Sequence, residues 1–204
     1  YFNVRSKKVL EIGGNSDMKA AMPFLENEAA LVVISGLGHI KEGTETVFKN
    51  LEFVRANGHE IVSKFGKSSF DIIFGVSIIE HISDPSNFLE QVYHCLKPGG
   101  FAILSGNPIW TSKLGHHVWV KTEHAEYFFS EKNDSTNPIP DWGHLLYDQE
   151  EMKSHLLKSS PLLPLNDINM IVDFIYKKEN LNRIGHQSFS ESYSNCPLII
   201  LETE

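Results

Sequence analysis

Cysteine is scarce in this 204-residue chain, which has only Cys95 and Cys196. Two thiols cannot build a disulfide framework or a four-cysteine zinc site, so they read as small apolar residues in a reducing compartment. Positive charge is also short: 18 Lys and Arg stand against 26 Asp and Glu, a formal net charge of -8. A phosphate backbone is gripped by clustered Lys and Arg, so nucleic acid is disfavoured as a partner. Long apolar runs are missing as well. The longest, Ala29 to Ile34 and Pro197 to Leu201, are far too short to cross a bilayer. No signal-peptide pattern is visible in a chain that opens on Tyr1. These absences lead us to expect a cytoplasmic protein without membrane contact.

Apolar residues make up 41% of the chain and charged residues 22%, enough for a sizeable core and too apolar for global disorder. The length fits one medium α/β domain. Short apolar segments at 8–12, 30–35, 51–56, 70–76 and 101–104 alternate with helical stretches at 17–27 and 84–96. Pro23 must sit in the first turn of its helix or bend it, and Asp84 with Pro85 is a helix-start pair. Near-continuous apolar strands separated by helices predict a parallel sheet covered on both faces. Beyond Ser105 the periodicity weakens. The stretch to Trp142 carries all three tryptophans and a group of histidines, and it is long for a structureless connection. Helices are predicted over 148–159 and 166–178, with a strand over 197–202.

In an open parallel sheet, ligands bind outside the carboxyl ends of the strands, near the switch point. The turn Glu11-Ile12-Gly13-Gly14-Asn15-Ser16 lies there. Adjacent glycines let backbone approach a ligand closely, and Asn15 tolerates positive φ. The acid disfavours a phosphate ligand, and neither a G-x-G-x-x-G fingerprint nor a G-K-[ST] follows.

Three segments occur in order: Val9-Leu10-Glu11-Ile12-Gly13, then Ser69 to Phe74, then Ile79-Glu80-His81-Ile82 with Leu96-Lys97-Pro98-Gly99-Gly100. Over residues 8–108 this resembles the class I S-adenosylmethionine-dependent methyltransferases of the type-11 group. The resemblance implies a doubly wound, Rossmann-like α/β fold. Its mostly parallel sheet would have about seven strands, helices on both faces and a lid insertion after strand five. It would form a single domain over 1–204: a cofactor half (1–108), a lid and substrate insertion (109–147), and closing helices and strand (148–204). The implied cofactor is S-adenosylmethionine, contacted by Glu11, Gly13, Gly14, Asn15, Ser35, Asn57, Gly58, Val76 and Ser77. Ser35 stands where the family ends its second strand with a ribose-binding acid. Asn15 and Asp17 stand at positions of later loop glycines. Asn57 replaces an Asp that faces the adenine amino group and keeps its carbonyl acceptor. Asp71 and the Lys97-Pro98-Gly99-Gly100 turn are assigned structural work.

Methyl transfer to a hydroxyl needs a proton acceptor, and histidine suits that task near neutral pH. The candidates are His81, beside the expected cofactor, and His116, His117 and His144 of the lid. Ser77 to His81 resembles the E-x-x-E-H cation motif of ubiquinone-biosynthesis O-methyltransferases, with its first acid replaced by Ser77. The spacing of His116, His117 and His124 matches no recognised metal-ligand pattern, so no metal is assigned. The other histidines (His39, His59, His94, His155 and His186) are taken as structural or surface groups. The expected acceptor is a small polar molecule, a sugar or related intermediate. The alternative is a catalytically silent methyltransferase-like binding or assembly partner.

Overall fold

Strand formation follows the apolar runs in the first four strands. The fifth, expected over 101–104, starts at Leu96 and takes in the Lys97-Pro98-Gly99-Gly100 segment read as a turn. In the computed structural model, which describes residues 3–38, 40, 43, 47–129, 137–177 and 181–199, β1 spans Lys8–Ile12 and β2 Leu31–Gly36. β3 spans Leu51–Arg55, β4 Phe70–Gly75 and β5 Leu96–Leu104. All pair in parallel, in the order β3-β2-β1-β4-β5. The order reverses at β1, which pairs β2 on one side and β4 on the other. The carboxyl ends of these two neighbours therefore flank the loop that leaves β1.

Alternate side chains of each strand enter two separate cores. Val9, Val32, Ile34, Phe53, Ile72 and Phe74 face one side, where Leu25 of α1 (Met22–Glu26) packs. Leu10, Ile12, Val33 and Ile73 face the other. There they meet Ile61 of α2 (Ile61–Phe65) and Phe88 and Val92 of α3 (Pro85–Cys95). Burial on both faces is why these strands read as unbroken apolar runs. The helix expected over 17–27 is confined to Met22–Glu26, with Pro23 in its first turn, since proline has no N–H for a helix interior. Asp84 caps α3 by accepting from Asn87 N at 3.0 Å. Asp71 fastens the strand entrances, accepting from Lys8 N at 2.9 Å and Lys97 Nζ at 2.6 Å. Burial alone would raise its carboxyl, but these donors outweigh it and hold the group below the usual range.

The chain divides into two compact units, Tyr1–Gly106 with Phe189–Glu204, and Asn107–Ser188. The second holds an antiparallel hairpin of β6 (Trp119–Lys121) and β7 (Glu126–Phe128), then α4 (Gly143–Leu146), α5 (Gln149–Ser159) and α6 (Leu165–Tyr176). α5 starts with a full capping box between Asp148 and Glu151. Val118, Val120, Met152, Leu156, Ile168, Ile171 and Ile175 form this unit's own core. α7 (His186–Asn195) was not anticipated from the sequence. Of about seven strands expected, the described residues thus place five in the parallel sheet and two in the separate hairpin. Pro197 to Ile199 are irregular. The rest of the strand expected there, 200–202, lies outside the described residues, as does His39. Among the described residues no helix is long and apolar enough to cross a membrane.

Candidate functional site

The loop after β1 is shaped by what its glycines leave out. Gly13 has φ +74°, a left-handed conformation, and a Cβ there would run into Ile78 Cγ2. A Cβ on Gly14 would lie 2.5 Å from Ile34 Cγ2 and 2.7 Å from the Glu11 carboxyl carbon. Gly14 N donates to Ser35 O at 3.0 Å, extending the β1–β2 ladder into the loop. A side chain on Gly36, the last residue of β2, would press on the Gly14 carbonyl at 2.7 Å. Gly75, which ends β4, likewise leaves room for Ile78. The loops after β1 and β4 can therefore close on each other with the Ile78 side chain packed between them.

Glu11 lies beneath this loop and is 7% exposed. Its Oε2 is buried and has no hydrogen-bond partner among the described residues. Burial, reinforced by the negative charge of Asp17, pushes its pKa up to about 7. Asn15 is exposed and its Oδ1 accepts from Asp17 N at 2.8 Å, an Asx turn that sets the loop's course. Val76 and Ser77 are exposed at the end of β4, and Ser77 N donates to Ser105 Oγ at 3.4 Å. His81 is exposed, one short 3-10 turn further on at Ile79–His81. These residues gather at the carboxyl edge of one sheet.

Three of the expected cofactor contacts sit differently. Ser35 is wholly buried and its hydroxyl donates to Glu11 O at 2.8 Å, so it ties β2 to β1 from inside. Gly58 is buried too, and a Cβ there would come within 3.0 Å of the Phe88 ring. Asn57 lies at the expected place after β3, but its Oδ1 already accepts from His59 N at 3.1 Å.

In the second unit, two of the three histidine candidates are core groups. His116 is 0% exposed, and its Nδ1 accepts from Val118 N at 3.2 Å, so the ring proton is on Nε2. His144 is buried and donates from Nε2 to Trp110 O at 2.7 Å. The two rings stand edge to face with centroids 5.7 Å apart. Burial, with His144 and His117 nearby, pushes His116 down to about 3. His144 is lowered by burial as well, with the Trp110 carbonyl partly opposing. Neutral, enclosed rings of this kind are poorly suited to collect a proton from a ligand. His117 is half-buried at φ 48°.

A better-supported imidazole is His124, at the hairpin tip. Its Nδ1 meets Asp167 Oδ1 at 2.9 Å, while the ring remains partly exposed. Asp167, on the first turn of α6, is wholly buried and also accepts from Tyr127 OH at 2.7 Å and Thr122 Oγ1 at 3.0 Å. Burial opposes its charge, yet the three donors prevail and keep it below the usual carboxylate range. An ionised Asp167 only accepts, so His124 carries a proton on Nδ1, while its Nε2 lies 3.8 Å from Glu123 Oε1. Nothing local in the sequence pairs residues 43 positions apart. Asp167→Asn is expected to leave one of these donors facing an amide N–H, turning the single His124 tautomer into a mixture in 15N NMR spectra. An unchanged tautomer would contradict this bonding.

Residues 35–104, from the end of β2 to the end of β5, match the methyltransferase domain family model. The chain is 25% identical over 117 residues to a ubiquinone biosynthesis O-methyltransferase of Pseudomonas putida, covering 52% of this chain and 48% of the relative. It is 34% identical over 65 residues to an uncharacterized methyltransferase of Mycolicibacterium gilvum, covering 32% and 24%. A solved S-adenosylmethionine-dependent methyltransferase from Mesorhizobium loti superposes with a TM-score of 0.45 at 14% identity, over 78% of this chain and 76% of that one. The chain spans about half the length of the curated relatives it matches first. With a parallel sheet that reverses at β1, a glycine loop on its carboxyl edge and a methyltransferase-domain match over residues 35–104, the chain is similar to the class I S-adenosylmethionine-dependent methyltransferases.

Proposed function

We propose that this protein transfers a methyl group from S-adenosylmethionine to a hydroxyl of a small polar molecule. The carrying observation is the loop after β1, where glycines that tolerate no side chain lie over a buried carboxyl oxygen without a hydrogen-bond donor among the described residues. Such a cradle fits a cationic amino-acid headgroup: the backbone can approach closely and the unsatisfied oxygen can accept. Glu11, Gly13, Gly14 and Asn15 would hold that end of the cofactor, with Asn57, Val76 and Ser77 further along the same edge. When bound, the cofactor supplies an electrophilic methyl carbon on a sulfonium. Ser35 acts through the backbone of Glu11 rather than on the ribose in this reading, because its hydroxyl is turned inward.

Oxygen is favoured as the acceptor atom by the O-methyltransferase names of the relatives. Within hydroxyl acceptors we infer a sugar or similar polyol. Exposed rings such as Trp119 and Trp142, in the segment 109–147 read as acceptor-binding, suit its apolar faces. The net charge of -8 makes nucleic acid a poor acceptor. His81 takes the hydroxyl proton in this scheme. The inward-facing Ser35 also favours one other reading, a methyltransferase-like partner without turnover, since no ribose contact comes from that position.

The test is mass-spectrometric detection of methyl gain across a panel of monosaccharides and phenols incubated with S-adenosylmethionine. Turnover is expected on at least one sugar hydroxyl. His81→Ala is expected to lower kcat by roughly 100-fold, the scale of a lost general base, and to leave S-adenosylhomocysteine affinity unchanged. Asn57→Ala is expected to weaken that affinity. Cofactor binding with no methylated product would favour the silent partner instead.

A further inference from the structure

Glu11 is a carboxyl group in an unusual setting. It is more than nine-tenths buried, and Oε2 lacks a donor among the described residues. In register, it is flanked by Ile34 of β2 and Phe74 of β4, neither of which titrates. Ser35, next along β2, spends its hydroxyl on the Glu11 backbone carbonyl and not on the carboxyl. The carboxyl fits beneath the loop because residue 14 has no Cβ. The charged group acting on it, Asp17 on the same loop, is negative. Asp17 sits where a family member would have a glycine. It is held there by its N–H to Asn15 Oδ1 and by its own Oδ1, which accepts from Lys19 N at 3.1 Å. A buried carboxylate without a countercharge among the described residues, and raised further by a second carboxylate, favours its protonated form.

We propose, on the basis of the cofactor site above, that the free protein buries Glu11 in its protonated form and that the cofactor's ammonium group expels this proton. Cofactor uptake is then coupled to proton release, and Asp17 biases that equilibrium. The step balances simply: Glu11–CO2H becomes Glu11–CO2⁻, the proton passes to solvent, and the ammonium takes over the pairing of the carboxylate. The direction follows from geometry, since the orphaned oxygen can accept from a cation once ionised and repels nothing while neutral. Burial and Asp17 both act upward on this carboxyl and push it to about 7. Release is therefore expected to be largest below neutral pH and to fade as pH rises above it.

S-adenosylhomocysteine carries the same amino-acid headgroup, so calorimetric titrations with it at one pH, in buffers of different ionisation heat, read the protons released. The expected result is a linear dependence of observed heat on buffer heat at pH 6 and 7. It should vanish in Glu11→Gln and move to lower pH in Asp17→Asn, an exposed substitution that leaves the fold alone. Binding with no buffer dependence, or an Asp17→Asn profile superimposing on the wild type, would overturn the coupling and leave the cofactor site standing. Absence of binding in every buffer would overturn the cofactor site itself, and the coupling with it.

Discussion

Gly13→Val is expected to abolish measurable cofactor binding and to lower the unfolding temperature of the protein by roughly 10 °C. Gly13 has φ +74°, where a β-branched residue is a steric outlier and the strain alone costs about 1–3 kcal/mol. The new side chain also enters the space of Ile78, which packs against both Gly13 and Gly75. Overpacking of that kind adds about 1–3 kcal/mol. Because Ile78 links the loops after β1 and β4, relief of the clash must move one of the two elements that form the site. Gly99→Ala separates the two contributions. Gly99 has φ +78° with nothing within 4 Å of a Cβ, so only the backbone strain applies. That variant is expected to lose about 1 kcal/mol of stability and to bind S-adenosylhomocysteine normally. Equal damage from the two substitutions, read by thermal unfolding and calorimetry, would show that the Ile78 contact has no special part in the site.

Acidification is expected to weaken the second unit well before its carboxylates protonate. In the unfolded chain, His116 gains its proton near the ordinary value of 6.5; in the folded unit, burial and the neighbouring His144 and His117 hold it neutral down to about 3. Between those values the unfolded state binds the extra proton, so stability falls as pH falls. From pH 6.5 to 5 the loss from His116 is about 2 kcal/mol, and His144, shifted in the same direction, adds to it. Glu11 works oppositely in the first unit. Its raised pKa means that the folded form holds a proton the unfolded chain lacks between about 7 and the ordinary 4.5, so acidification through that window favours folding there. His116→Asn isolates the histidine effect, because Asn Oδ1 can still accept from Val118 N without titrating. Hydrogen exchange over residues 107–188 at pH 7.5 and 5.0 is expected to show protection lost by the wild type and largely kept by His116→Asn. Identical losses would contradict the assignment.

How much of this was legible beforehand differs between the two halves. The apolar runs ending in Gly13, Gly36 and Gly75 announce parallel strands because both faces of the sheet are buried. Asp84 with Pro85 announces α3 by cap chemistry alone. The cofactor edge follows from strand order, and Glu11 stands where a loop acid was expected. What single positions could not reveal is side-chain direction. Ser35 looked like a ligand contact but points inward, since its place in β2 pairs it with Ile12 and puts its hydroxyl on Glu11 O. His116 and His144 looked like chemistry because histidines near tryptophans are ambiguous between lid and core. The Asp167 anchor of the β6–β7 hairpin rests on contacts across 40 to 45 residues, which no local pattern encodes.

The central claim is that the glycine-lined edge beside Glu11 binds the cofactor despite the missing acid at the end of β2. Calorimetric titration of the intact chain with S-adenosylhomocysteine at pH 7.5 tests it most directly. We expect saturable one-to-one binding that Gly13→Val removes. No detectable heat at millimolar ligand, or equal binding by Gly13→Val, would contradict it.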